Sequence, residues 1–163
     1  MSTTATATDL KSFLAEAIET SAATLIKDLA HIPEDKMDQS PMGCARSPLD
    51  FTVECAGFTG LILKAVKKEE ASMPSAEEIK QFQAMFNTRE KAVGLLKSNT
   101  DELVAAVRNM DDAELSREIP TYWGTSETLA KMLYIVASHN SYHDGQVNYI
   151  QCLYGDGAMH WAE

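Results

Sequence analysis

Ser138-His139-Asn140-Ser141-Tyr142-His143-Asp144-Gly145-Gln146 is the stretch on which the reading of this chain turns. It holds half of the four histidines, spaced four residues apart. On an α-helix, positions i and i+4 lie one above the other with about 5–6 Å between Cβ atoms, so both imidazoles can grip one ion. The pair also continues an apolar stripe. Leu129, Met132, Val136, His139, His143, Val147 and Ile150 follow the helical period, which predicts a last helix over about 126–154 with Gly155 as its C-cap. Two imidazoles turned into a helical core need a shared ligand, a partner or a water. Asn140, Gln146 or a carboxylate could satisfy them without a metal, and spacing alone does not separate the two readings.

The rest of the chain carries the same periodicity. Leu10, Phe13, Leu14, Ala17, Ile18, Leu25, Ile26 and Leu29 predict a first helix from Asp9 that stops before Pro33, and residues 33–46 read as a loop. Ser47-Pro48 with Asp50 predicts a helix start, and a second helix over about 47–67 presents Phe51, Phe58, Ile62 and Ala65, with Glu54 or Cys55 between them. Ser75-Ala-Glu-Glu78 is a capping box. The stripe behind it, from Ile79 to Met110, is interrupted at Arg89 and Thr100, which allows one long helix or a short one followed by a longer one. Residues 111–125 read as loop, and no stretch alternates with period two for long enough to suggest a strand. The expected architecture is all-α, a single-domain four-helix bundle over residues 9–155 between a tail at 1–8 and a C-terminal tail at 156–163.

Charge narrows the function. Fourteen Lys and Arg against 24 Asp and Glu leave a net charge of −10 over 163 residues, which repels polyanionic phosphate backbones and anionic lipid surfaces. No nucleic-acid and no membrane partner is expected. Three cysteines (Cys44, Cys55, Cys152) without CxxC spacing suggest neither a disulfide framework nor a zinc ribbon. With no signal-peptide pattern and no apolar run long enough to span a bilayer, a cytoplasmic location is expected.

A third ligand for the histidine pair has to come from another helix. Glu54 is the candidate, because it sits on or beside the stripe between Phe51 and Phe58, where a carboxylate is costly unless paired or ligating; at the stripe's edge it simply reaches solvent. Cys55 reads as a small buried hydrophobe. Gln146, one turn from His143, is placed to orient a ligand, Tyr142 is a weaker neighbour, and Asp144 is expected to face solvent. Gly145 is expected where another helix packs closely. Arg89 could anchor a substrate carboxylate or pair with Glu54. His31 is read as a helix C-terminal residue facing the dipole, and His160 as part of a mobile tail unsuited to ligation. The two Glu-x-x-His pairs of di-iron bundles, the His-Glu-x-x-His of zincins, phosphate loops and nucleophile elbows are not in the sequence.

Gly124-Thr125, Leu129, His139-x-x-x-His143-x-Gly145-Gln146 and Gly155 resemble the C-terminal helix of the DinB-like (DinB/YfiT) metalloenzyme superfamily. The resemblance extends over most of the chain, including a Ser that opens the second helix and a metal ligand seven residues later; here these are Ser47 and Glu54. It implies an up-down-down-up bundle, often a homodimer, with one divalent metal on Glu54, His139 and His143, the family's first His being replaced by Glu. Zinc or nickel suits such a set, iron also, and Glu54 could equally mark a member without metal. The implied function is a metal-dependent enzyme that activates water or a thiol, hydrolase-like or thiol S-transferase-like, on a small-molecule substrate such as a low-molecular-weight thiol. The alternative is a metal-free, non-catalytic bundle binding a small ligand or a protein partner.

Overall fold

Among the described residues, each α-helix starts where a short polar side chain takes over a free backbone amide. Asp9 caps α1 (Leu10–Leu29), and Ser47 and Asp50 form a reciprocal capping box ahead of α2 (Pro48–Val66). Ser75 and Glu78 do the same for α3 (Ala76–Met85), while Thr88 caps α4 (Arg89–Asn109) and Thr128 caps α5 (Leu129–Leu153). The computed structural model describes residues 9–70, 74–121 and 123–160, so the expected tail at 1–8 and Tyr122 lie outside the described residues.

Of the two alternatives for the stripe from Ile79 to Met110, the short helix followed by a longer one is found. Phe86 leaves helical geometry at the end of α3 and Thr88 recaps the chain for α4. The expectation of a bare loop at 111–125 is corrected. A 3-10 turn covers Asp112–Ser116, and β1 (Glu118–Pro120) pairs antiparallel with β2 (Ser126–Thr128). Strands of three residues are too short for period-two patterning to appear in sequence. Their pairing also delays the last helix, which begins at Leu129 rather than Ser126.

Contacts between the helices set their directions. Ser21 meets Asn140 and Asp28 meets Asn148, so α1 and α5 run parallel. Asn99 reaches the Ala56 carbonyl and Lys67 pairs with Glu102, so α2 and α4 run parallel too. Glu19–Arg108 with Ala30–Arg89, and Phe58–His139 with Phe51–His143, make α1 antiparallel to α4 and α2 antiparallel to α5. The chain path is therefore up-down-down-up, and the connections at 30–47 and 110–128 are long because each crosses the bundle.

Two apolar clusters fill the interior. One gathers Leu14, Ile18, Leu103, Val107, Leu129 and Leu133; the other gathers Leu25, Leu29, Phe51, Leu96, Val147 and Ile150. The stretch of α5 between them, from Ser138 to Gln146, carries the buried Asn140 and His143. Close helix approach is made by Gly60, where an added Cβ would come within 2.8 Å of Asn99 Nδ2. Gly145 faces open space instead, which corrects the packing role expected for it.

Candidate metal centre

Asn140, His143 and the rest of that polar stretch sit on α5 with both imidazoles turned towards α2. His143 is 3% exposed and Glu54, across the helix boundary, is 41% exposed at its side chain. His139 Nε2 lies 3.1 Å from His143 Nε2 and 3.2 Å from Glu54 Oε1, and His143 Nε2 lies 3.5 Å from the same oxygen. Phe51 stacks on His143 at 4.9 Å between centroids, and Phe58 meets His139 edge-on at 5.1 Å, so two aromatic rings from α2 fix both imidazole planes.

Proton bookkeeping decides what this triangle is. Gln146 Nε2 donates to Tyr142 Oη, which leaves Gln146 Oε1 facing His143 Nδ1 at 2.7 Å and assigns the His143 proton to Nδ1. His143 Nε2 is then a bare lone pair, and so is Glu54 Oε1, whereas Oε2 accepts from Arg46. A proton on His139 Nε2 can serve one of these acceptors and leaves the other facing a lone pair. The donor set fits a cation better. Nitrogen and oxygen ligands at about 2.0–2.1 Å around a tetrahedral ion stand about 3.3 Å apart, close to the three edges given above. The hydrogen bond to His139 holds the Glu54 carboxyl well below the usual carboxylate range, and Arg46, which also ion-pairs with it, adds to the shift against partial burial.

Cys55 is a second candidate from the same helix, since its Sγ and one nitrogen of each histidine lie within 4.8 Å of one another. Its sulfur approaches His139 at Nδ1, 3.9 Å away, on the ring edge opposite the Nε2 triangle. Burial, then the Glu54 charge, push the thiol well above its ordinary pKa, so Cys55 stays a neutral, buried thiol.

The structure corrects several sequence expectations. Arg89 does not pair with Glu54; it donates to the Ala30 and Ile32 carbonyls and ion-pairs with Glu34 at 3.1 Å, at the far end of α1. The arginine on Glu54 is Arg46, which also lies over the Phe51 ring at 5.0 Å. Its only signal in the sequence is a place just before the Ser47 cap, two turns from Glu54. Asp144 is half-buried beside Asp28 rather than solvated, and burial with the Asp28 charge raises its pKa to about 7. A groove of about 780 Å³ opens at His139 and Glu54 and runs between α2 and α3 past Gly57, Phe58, Ile79 and Phe82.

No protein-family profile matches this chain, and no curated protein sequence does. Solved structures do. YfiT from Bacillus subtilis, described as a "probable metal-dependent hydrolase with an unusual four-helix bundle topology", superposes with a TM-score of 0.72 at 15% identity over 95% of this chain and 93% of its own. A mycothiol-dependent maleylpyruvate isomerase gives 0.69 at 14% identity over 86% of this chain and 61% of its own. The colibactin self-resistance protein ClbS, solved with double-stranded DNA, gives 0.68 at 21% identity over 87% of this chain and 95% of its own. The path of α1, α2, α4 and α5 is thus one already seen in YfiT, and this chain has the fold of the DinB-like four-helix bundles.

Proposed function

We propose that this protein is a metal-dependent enzyme acting on a small molecule, with one divalent ion, zinc or nickel, held by Glu54, His139 and His143. The observation that carries the reading is the triangle of Nε2, Nε2 and Oε1 atoms 3.1–3.5 Å apart, which a proton satisfies only in part. A divalent ion at this set supplies the positive charge that makes a nearby water or thiol acidic enough to act as a nucleophile at neutral pH.

The chain's own residues do the rest. Gln146 holds the proton on His143 Nδ1 and so keeps Nε2 as a ligand, while Tyr142 holds Gln146 in turn. Phe51 and Phe58 exclude water from the inner faces of the rings. Arg46 offsets part of the negative charge that Glu54 brings in place of a neutral imidazole. The groove between α2 and α3 seats the substrate with an apolar wall of Val53, Phe58, Ile79 and Phe82. Its size accommodates a low-molecular-weight thiol, and the mycothiol-dependent isomerase shares the fold, so thiol transfer and hydrolysis are the reactions to screen. The other reading is a metal-free bundle whose groove binds a small ligand without chemistry.

Elemental analysis of untagged protein, before and after a mild chelator, tests this. About one zinc or nickel per chain more in the wild type than in His143→Ala is the expected result; no such difference, even after excess zinc or nickel, overturns it. Two partner readings go with the proposal. Tyr134, Tyr142 and Tyr149 lie exposed along α5 at steps of eight and seven, an apolar stripe that suits a homodimer, checked by sedimentation. Despite the ClbS complex, the net charge of −10 favours no binding of duplex DNA, checked by a salt-dependent mobility shift.

A further inference from the structure

We propose that His31, Asp156 and His160 form a second divalent-cation site, separate from Glu54, His139 and His143, which fastens the C-terminal segment to the end of α1. The segment after α5 is built rather than loose. Gly155 turns the chain at φ +94°, Asp156 N–H donates to the Gln151 carbonyl at 3.2 Å, and Ala158 N–H donates to Asp156 Oδ1 at 3.0 Å. Gln151 Nε2 donates to the Ala158 carbonyl at 3.1 Å. These bonds fold the chain back so that His160, 8% exposed, lies against His31 just past the end of α1, with ring centroids 3.4 Å apart and planes 2° from parallel. His160 Nε2 is 2.8 Å from Asp156 Oδ2, and one donor atom from each of His31, Asp156 and His160 lies within 4.8 Å of the others.

Two imidazoles and a carboxylate are a borderline donor set suited to zinc, with nickel and copper(II) also in range. The cluster lies just past the C-terminal end of α1, the negative end of its dipole. The Gln151 side chain is 1% exposed and hydrogen-bonds Asp156, and its Oε1 finds no donor among the described residues. The ion takes the place of the proton between His160 and Asp156. Parallel rings 3.4 Å apart do not point their in-plane lone pairs at one ion about 2.0–2.1 Å away, so binding swings His31, the exposed partner, out of the stack. Arg89, on the Ala30 and Ile32 carbonyls nearby, places a positive charge at the same helix end, which makes this site the weaker of the two.

The test uses the full untagged chain and zinc alone, titrated by calorimetry with stoichiometry checked by elemental analysis. His139→Ala/His143→Ala removes the other centre. That variant is expected to keep about one zinc per chain, and adding His31→Ala or Asp156→Asn is expected to weaken its binding at least ten-fold. The exposed His31 can be lost without unfolding the chain, and near-identical circular dichroism of the variants checks this. The His31 ring proton resonances are expected to shift as the stack opens on titration. The proposal is overturned if His139→Ala/His143→Ala binds no zinc, or binds one that neither His31→Ala nor Asp156→Asn weakens. Wild type that binds a single ion lost only with His31→Ala sustains this site and removes the one at Glu54 instead.

Discussion

His139 and His143 face one another within a single helix, whereas His31 and His160 come together from opposite ends of the chain. The first pair is T-shaped, with planes at 88°, and is clamped between aromatic rings of α2 and a glutamine on its own helix. The second is a flat stack held by a folded-back segment, one ring buried and the other in solvent. Helix geometry makes the first arrangement almost unavoidable once α5 forms, because an i, i+4 pair on the core face has nowhere else to point. The second exists only because Gly155, Asp156 and Gln151 turn the chain back over the end of α1. Preorganisation therefore differs between them, and so should the response to change.

Removing the buried member of the first pair has the largest expected effect. His143→Ala leaves a cavity beside Phe51 and costs roughly 2–4 kcal/mol of unfolding free energy by denaturant titration. Zinc affinity at Glu54 and His139 falls at least 100-fold in the same variant, a magnitude at the upper end of ligand-sphere effects. Gln146→Leu sharpens the comparison by leaving both imidazoles in place. With His143 Nδ1 no longer held, zinc affinity drops about 10- to 100-fold by calorimetry while the fold is kept.

Asp144 supplies a pH-dependent arm. Its folded pKa, raised to about 7 by burial and by Asp28, exceeds that of the unfolded chain, so the folded state holds the extra proton. The stability it contributes is full below about pH 4, the ordinary aspartate value, and is lost as pH rises to about 7. Solvent screening of this half-buried group reduces the effect to the order of 1–2 kcal/mol. Asp144→Asn should flatten the stability profile between pH 5 and pH 8, measured by thermal melts, and gain most at the higher pH. The smallest effect belongs to His31→Ala in metal-free protein, which should change stability by no more than about 0.5 kcal/mol because the ring is exposed. A loss as large as that of His143→Ala would erase the distinction between the two pairs.

Much of the frame is legible in the residues themselves. Ser47-Pro48-x-Asp50, Ser75-x-x-Glu78 and Gly155 mark helix ends through backbone amides and a left-handed residue, which are local demands that tertiary packing rarely overrides. The stripe through His139 and His143 shows a core-facing helix for the same reason. The hairpin at 118–128 is not legible, since three-residue strands carry no period and exist only by pairing with each other. Arg89 misled because a cation on an apolar stripe suggests an internal partner, whereas its reach ends on carbonyls of the connection after α1. Asp144 misled because the residue after a core histidine rotates by about 100° around the helix, enough in a bundle to face α1 and Asp28 rather than water.

The sequence by itself determined where α1, α2 and α3 begin and where α5 ends, that the chain is acidic, and that two imidazoles share one helix face. These follow from short-range rules acting within a few residues. Only the tertiary structure decided that Glu54 meets both Nε2 atoms, that Arg46 rather than Arg89 answers Glu54, and that His160 stacks on His31. Each of those contacts joins atoms on different elements, and their distances depend on the crossing of α2 over α5 and on the path of the chain beyond Gly155. Pairings of that kind are set by how whole helices pack, which no local pattern encodes.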